Sequence, residues 1–294
     1  MIVFRLFQIF VFFLYLLPYR WRKAFFIAVS QLLYRFDTKH KRVISQNLDF
    51  AFEGALDDKE VESIGRYCYR NAALAFSQVI ENRTLSLEDL ERRVSFENMA
   101  PVKAALEAKR PIIFVTAHYG NWEIAGAAIS NFITPITVIY RKLNNPYFDR
   151  YLYESRKAIG IETVEKSGAA RALAKILKSG GAVTLLTDQN TSKRDGIPVD
   201  FFGHSVHQTA TPAFLARKYN AVIIPLYTTT EDDDCYTVTF GGAVEVAKTE
   251  NTDADIYEAT AKQAQLHEAA IRKAPKFWFW CHRRWKTDYA EVYK

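Results

Sequence analysis

From Pro111 onward, short apolar runs alternate with longer stretches of helical character, and this alternation constrains the fold more than any other feature of the chain. Strand–helix alternation is typical of βαβ units, in which a mainly parallel sheet carries helices on its faces. We therefore predict an α/β fold. The predicted strands are residues 111–116, 136–140, 161–165, 182–187 and 221–227, and the predicted helices cover about residues 121–131, 146–159, 168–179, 209–219 and 254–273.

The N-terminus is a different kind of segment, because Ile2–Leu17 is almost entirely apolar and basic residues follow it at positions 20, 22 and 23. As a helix the run rises roughly 24 Å, which is short of a hydrocarbon core of about 30 Å. We predict a hydrophobic membrane-anchor helix that either crosses the bilayer or lies partly embedded in it. A helix buried in the protein core is the alternative. The anchor and an interfacial helix occupy residues 1–35, and residues 36–294 form a domain that the positive-inside rule places in the cytoplasm.

A histidine and a glutamate, His118 and Glu123, follow the apolar run at residues 112–115. Gly120 and Asn121 favour a turn, so the next helix is expected to begin near Asn121. His118 then lies at the carboxyl end of a parallel strand, where open α/β sheets bind their ligands. Glu123, in the first helical turn, is expected to fold back and orient the imidazole as a general base for a hydroxyl. A helix-capping glutamate beside a structural histidine is the alternative.

Several segments together resemble one enzyme family. HYGNWE resembles the H-x4-D/E motif of the glycerolipid acyltransferase superfamily, and its HxGNWE form is similar to that of the lipid A biosynthesis lauroyl/myristoyl acyltransferases. The remaining blocks resemble that family in the same order along nearly the whole chain. They are VIYRKLNNPYFDRYLYESR with Arg141 and Arg156, LLTDQN with Asp188 and Gln189, GIPVDFFG with Phe202 and Gly203, IIPLY with Pro225, and the closing WFWCHRRWK.

The resemblance implies transfer of an acyl chain from an acyl carrier protein thioester to a hydroxyl of a phosphorylated glucosamine-disaccharide lipid. The implied acceptor is a lipid A precursor of the Kdo2-lipid IVA kind, with a lauroyl-type transfer at the bacterial inner membrane. It implies His118 and Glu123 as catalytic residues. The implied substrate-binding residues are Asn121, Arg141, Arg156, Asp188, Gln189, Phe202 and Gly203.

The chemistry of these side chains agrees with parts of that assignment. Arg141 and Arg156 suit bidentate phosphate contacts. The alternative for both is a surface charge with a carboxylate partner, and for Arg156 the sequence alone supports the two interpretations about equally. Asp188 and Gln189 close a strand, where they are expected to contact the sugar or orient an arginine. Backbone N–H groups around Gly120 and Asn121 are expected to stabilise the oxyanion.

Two other functions stay open on the sequence. The first is an acyltransferase for a different acceptor, such as a lysophospholipid or a glycolipid. The second is a non-catalytic basic protein of the membrane surface, which the net charge of +6 would support. No recognised nucleic-acid module is present, so nucleic acid is not an expected partner. No cofactor is expected, and His204 and His207 lack the neighbours that would complete a metal site.

Overall fold

The computed structural model of the protein describes all 294 residues. The chain forms eleven α-helices and nine β-strands, which we number in chain order. The helices are α1 Ile2–Tyr15, α2 Tyr19–Phe36, α3 Thr38–Phe52, α4 Asp58–Glu81, α5 Leu87–Arg93, α6 Ala100–Glu107, α7 Trp122–Phe132, α8 Pro146–Ala158, α9 Ala169–Lys178, α10 Thr211–Tyr219 and α11 Thr252–Lys273. The strands are β1 Val94–Glu97, β2 Ile112–Thr116, β3 Ile136–Tyr140, β4 Glu162–Glu165, β5 Ala182–Leu186, β6 Ile197–Phe201, β7 His204–Gln208, β8 Val222–Thr230 and β9 Tyr236–Phe240.

A seven-stranded sheet in the order β1-β9-β8-β2-β5-β3-β4 forms the centre of the molecule. Its pairs are parallel except β8 with β9, which form a hairpin, so the predicted mainly parallel α/β fold is confirmed. Strand β2 lies between β8 and β5, and every one of its residues is buried. A strand that is covered on both faces reads as a continuous apolar run, which explains the sequence at residues 112–115.

Helices cover both faces of this sheet. One face carries α5, α6 and α7, whose apolar residues share a core with Phe114 and Ile224. The other face carries α9, α10 and α11, which share a core with Ile113 and Ile223. A third, aromatic core joins α3, α4 and the separate β6–β7 hairpin to the C-terminal segment with Trp278, and we call it the aromatic cluster.

The N-terminal helices differ from the prediction. Pro18 begins a new helix, so α1 is only 14 residues long. No helix of the chain combines the length and the apolar character needed to cross a bilayer, and the predicted anchor is not supported as a spanning helix. Val11 and Leu14 of α1 are buried against α2 and α4, whereas the remaining large residues of α1 are mostly exposed.

Candidate active site

Two neighbouring strands of the central sheet end in the residues that carry the chemistry. Strands β2 and β5 run parallel in a register that sets Thr116 beside Leu186. The segments after β2 and β5 leave the sheet at the same carboxyl edge. His118 and Asp188, each two residues beyond its strand, therefore meet there.

The Asp188 carboxylate holds His118 by two hydrogen bonds. The backbone N–H of His118 donates to Oδ2 at 3.0 Å, and the ring Nδ1 lies 2.8 Å from Oδ1. Because a carboxylate accepts, Nδ1 carries the proton and the lone pair is on Nε2. Trp278 Nε1–H donates to Oδ2 at 2.8 Å and fixes the carboxylate from the other side. This is the arrangement that orients a histidine as a general base.

The environment also keeps Asp188 ionised, although its side chain is only 3% exposed. Burial alone would raise the pKa of Asp188. The His118 imidazole and the N–H donors of His118 and Trp278 outweigh that effect, and the pKa lies well below its usual range. A negative charge beside Nδ1 stabilises the imidazolium that forms when Nε2 takes a proton.

The reactive nitrogen of His118 faces outward. The His118 side chain is 24% exposed, and Nε2 lies 3.4 Å from the amide nitrogen of Gln189. The Trp122 ring meets the imidazole edge-on with 5.1 Å between ring centroids. The imidazole is therefore accessible on one side and packed on the other, with the Gln189 amide beside Nε2.

The loop that carries His118 is fixed by close backbone contacts. Gly120 has φ +60°, and a Cβ there would meet the carbonyl oxygen of Thr228 at 1.8 Å, so only glycine fits. The Gly120 N–H donates to the carbonyl of Phe277 at 3.0 Å, and the N–H of Phe279 donates to the carbonyl of His118 at 2.9 Å. The expectation that the Gly120 N–H stabilises the oxyanion is therefore wrong, because that donor is already used.

Glu123 does not contact His118, contrary to the role expected from the sequence. Its carboxylate accepts two hydrogen bonds from Arg156, from Nη2 at 2.6 Å and from Nε at 3.1 Å. The two side chains are 6% and 12% exposed. Burial would lower the pKa of the Arg156 guanidinium, but the Glu123 carboxylate outweighs it and the pKa rises. The carboxylate bonded to His118 is therefore that of Asp188, and Glu123 neutralises Arg156.

This pair also changes the expected role of Arg156. Two of its donor groups are committed to Glu123, and only Nη1 has no partner. A bidentate phosphate clamp by Arg156 is therefore not available while the pair is intact. Arg141 differs, because it is exposed just beyond the carboxyl end of β3 with its guanidinium free of protein partners.

Of the other predicted substrate residues, Asn121 and Phe202 are buried and Gly203 is exposed. Asn121 is 1% exposed, and its Oδ1 accepts the N–H of Ile124 as the N-cap of α7. Phe202 and Gly203 form the tight turn between β6 and β7, both with positive φ. Phe202 is 1% exposed and packs in the aromatic cluster beside Trp280. Asn121, Phe202 and Gly203 therefore do not form, with His118, one surface that a substrate could contact.

Sequence reasoning missed two residues of the site. Trp278 was read only as part of the closing block, although its ring nitrogen bonds Asp188. His267 is fully buried on α11, where its ring lies 2.8 Å from Thr187 Oγ1 and 2.9 Å from the Tyr227 hydroxyl. Burial lowers the pKa of His267 to about 4, so this histidine is neutral. The apolar face of α11 was the only sequence signal that placed it in the interior.

The two histidines of β7, His204 and His207, contact different side chains of the protein and not each other. The His204 ring stacks on Phe50 with 3.9 Å between centroids. His207 pairs with Asp288, whose oxygens lie 2.7 Å from the ring Nδ1 and 2.9 Å from the His207 backbone nitrogen. The spacing that suggested a metal reading is therefore explained by two separate structural contacts.

Known proteins show the same relationship that the motifs suggest. Three relatives are similar to this chain at 24–26% identity. A phosphatidylinositol mannoside acyltransferase of Mycolicibacterium smegmatis is 26% identical over 193 residues, covering 64% of this chain and 61% of that protein. One of Mycobacterium tuberculosis (strain H37Rv) is 24% identical over 238 residues, covering 79% of this chain and 70% of that protein. A lipid A biosynthesis acyltransferase of Haemophilus influenzae is 25% identical over 182 residues, covering 61% of this chain and 57% of that protein.

The family assignment comes from a match along almost the full length. Residues 1–287 match the family described as bacterial lipid A biosynthesis acyltransferase. That match includes β2 with His118, β5 with Asp188 and the segment that carries Trp278. The chain therefore belongs to the bacterial lipid A biosynthesis acyltransferase family.

Proposed function

We propose that this acyltransferase moves a fatty acyl chain from the thioester of an acyl carrier protein to a hydroxyl of a membrane glycolipid, with His118 as the general base. Nε2 of His118 takes the hydroxyl proton as the oxygen attacks the thioester carbonyl. A C–O bond forms and the C–S bond breaks. The proton on Nε2 then passes to the departing thiolate, which restores the neutral imidazole.

The observation that carries this proposal is the Asp188–His118 pair at the edge of the sheet. The pair leaves the lone pair of Nε2 at an opening, beside Gln189. No serine or cysteine nucleophile lies within hydrogen-bonding distance of the His118 ring, whose polar partners are Asp188 and Gln189. Direct attack by the acceptor hydroxyl follows from this arrangement.

For the acceptor we favour a phosphorylated glucosamine-disaccharide precursor of lipid A. The family match and the Haemophilus influenzae relative support it. Arg141, free at the same edge of the sheet, suits a phosphate of such a lipid. A second candidate acceptor is a mannosylated phosphatidylinositol, which the names of the two mycobacterial relatives support. Both are phosphate-bearing glycolipids with a free sugar hydroxyl.

A membrane-held acceptor requires the enzyme to work at a membrane surface, and we place it at the cytoplasmic face of the bacterial inner membrane. More than half of the exposed large hydrophobic side chains of the protein lie in its first 36 residues. Phe4 and Phe7 of α1 pack on the first turns of α8, which begins at the carboxyl edge of the sheet. The outer face of α1 and α2, lying in the bilayer interface, would bring that edge to the lipid.

The acceptor is tested by turnover. The purified protein is incubated with acyl carrier protein thioesters of several chain lengths and with each acceptor separately. The acceptors are a tetra-acylated lipid A precursor, a phosphatidylinositol mannoside and a lysophospholipid, and mass spectrometry detects the product. We expect mass gain on the lipid A precursor. Mass gain on the mannoside alone would select the second candidate, and no product from any thioester would contradict the proposed reaction.

Membrane binding is tested separately by flotation with vesicles. Ile9, Phe12 and Phe13 are exposed on α1, and their replacement by glutamate should release the protein from vesicles containing anionic lipid. Glutamate at Leu87 and Leu106, which are exposed elsewhere, is the control and should have no effect. A wild-type protein that stays with the soluble fraction would contradict the placement at the membrane.

A further inference from the structure

Helix α9 has a basic face that nothing in the protein neutralises. Its apolar residues Leu173 and Leu177 are buried on the sheet. Arg171, Lys175 and Lys178 are exposed, and the spacing of four and three residues sets them on one stripe. They border a shallow depression on the surface, and α9 contains no acidic residue. None of the three side chains makes a hydrogen bond or a salt bridge within the protein, so the stripe presents uncompensated charge.

The stripe continues onto the carboxyl edge of the sheet. The N–H of Lys166 donates to the carbonyl of Tyr140, which joins the ends of β4 and β3. The Ser192 hydroxyl and the Arg194 guanidinium lower the pKa of Asp195, and the Lys166 ammonium adds to this effect, so the loop after β5 also comes close. The exposed cations of these three strand ends outnumber their carboxylates, Glu165 and Asp195. The cations are Arg141, Lys142, Lys166, Lys193 and Arg194.

The α9 stripe faces away from the apolar surface of α1 and α2. Helix α9 lies on the sheet face that carries α10 and α11. Helices α1 and α2 pack outside α4, which lies over α7 and α8 on the opposite face. A bilayer in contact with α1 and α2 would therefore leave the α9 stripe free for a partner in solution.

The distance to the base indicates how such a partner would reach the site. Strand β4 is three strands from β2 in the sheet. At the usual spacing of nearly 5 Å between strands, the end of β4 lies about 14 Å from the end of β2, where His118 follows. A protein seated over α9 and β4 reaches His118 only through a long flexible arm. A thioester on a phosphopantetheine arm has that form, and its carrier protein is acidic.

We propose that the basic stripe Arg171–Lys175–Lys178, together with Lys166, is the docking surface for the acidic acyl carrier protein, so that the acyl arm enters the site across the ends of β4 and β3. This inference rests on the proposed function for the identity of the donor. Charge complementarity over an exposed helix sets the encounter rate and the specificity of a transient complex. The stripe runs along one face of α9 beside a shallow depression, which suits an acidic helix better than the nucleotide of a coenzyme A thioester.

The test compares two donors with the same acyl chain, one on acyl carrier protein and one on free pantetheine. The variant Arg171→Glu/Lys175→Glu/Lys178→Glu should raise the KM for the carrier-bound donor about tenfold or more, with kcat unchanged. Turnover of the pantetheine thioester should not change. The matched control is Lys59→Glu/Lys103→Glu/Lys262→Glu, which alters charge by the same amount at exposed positions elsewhere and should behave like the wild type.

Binding of the carrier protein without turnover separates this proposal from the proposed function. Surface plasmon resonance with holo acyl carrier protein should show wild-type binding that weakens as salt rises, and the triple variant should lose it. Equal losses with both donors, or unchanged carrier binding by the triple variant, would overturn the docking surface. Loss of binding to anionic vesicles instead of the carrier would also overturn it and assign the stripe to lipid. Intact carrier binding without any acyl transfer would contradict the reaction and leave the surface supported.

Discussion

His118 and His207 hold their aspartates with the same two hydrogen bonds, but they lie in different parts of the molecule. In both, the backbone N–H and the ring Nδ1 of the histidine bond the two oxygens of one carboxylate. The Nδ1 distances are 2.8 Å to Asp188 and 2.7 Å to Asp288. Bond geometry alone therefore does not distinguish a catalytic histidine from a structural one in this chain.

The surroundings of the two pairs do distinguish them. His118 follows a central parallel strand, faces Gln189 through Nε2, and lies at the edge where such sheets bind ligands. His207 lies on the separate β6–β7 hairpin, and Asp288 ties the C-terminal segment to it. The carbonyl of His207 accepts a hydrogen bond from the buried Arg284. The position of the pair in the sheet, not the pair itself, indicates the base.

The largest expected effect separates these two histidines directly. His118→Ala should lower kcat by roughly 10²–10⁴, the usual contribution of a positioned general base, and should cost only about 1–3 kcal/mol of stability, because Asp188 loses its ring donor. The measurement is steady-state turnover together with a thermal melt. If His118→Ala folds normally and turns over at the wild-type rate, His118 is not the base.

The second largest expected effect concerns Glu123, the carboxylate that was expected from the sequence to orient His118. Arg156→Ala should destabilise the fold by about 3–5 kcal/mol, because it leaves Glu123 charged, buried and unpaired. Glu123→Gln/Arg156→Met should recover most of that loss. Urea unfolding gives the free energies. A single variant, Glu123→Gln, that keeps its stability but loses as much kcat as His118→Ala would return the orienting role to Glu123.

A third histidine, His267, should make the stability of the protein depend on pH. The pKa of His267 is about 4 in the folded protein and about 6.5 when unfolded, so the unfolded chain binds the extra proton between these values. The contribution of His267 is complete above about pH 6.5 and is lost as pH falls towards 4. At pH 5 the loss is about 2 kcal/mol. Urea unfolding at pH 7 and pH 5 should show a loss that is about 2 kcal/mol larger in the wild type than in His267→Gln. His282, whose pKa burial also lowers to about 4, contributes to the loss that remains in the variant.

The smallest effect belongs to His207. His207→Ala should reduce the free energy of unfolding by about 1–3 kcal/mol, because it leaves the Asp288 carboxylate without its ring donor. Turnover by the folded variant should match the wild type within about twofold. A loss of kcat without a loss of stability would show that the β6–β7 hairpin takes part in the reaction.

The sequence predicted individual helices and strands of this fold better than it predicted which of them lie side by side. All five predicted strands form, and Asp57 caps α4 through a capping box. The prediction missed β1, α6 and the β6–β7 hairpin. GIPVDFFG was read only as a family block, although Phe202 and Gly203 form its hairpin turn.

The sequence predicted His118, Asp188, Glu123 and Arg156 as site residues, but it did not predict which of them pair. His118 and Asp188 were both placed at strand ends, yet β5 lies between β2 and β3 in the sheet, an order that no local pattern specifies. Glu123 is close to His118 in the sequence, so it was taken as the orienting carboxylate. The helix instead turns it into the interior, where the charge of Arg156 from α8 balances it.

The most direct test of the account compares Asp188→Asn with Asp288→Asn. Each change keeps the shape of the side chain and removes the charge beside a histidine Nδ1. We expect Asp188→Asn to lower kcat by roughly 10²–10⁴, as loss of an orienting carboxylate does, and Asp288→Asn to leave kcat within about twofold of the wild type. Near wild-type turnover by a folded Asp188→Asn enzyme, or equal losses in both variants, would contradict the assignment of Asp188 and His118 as the catalytic pair.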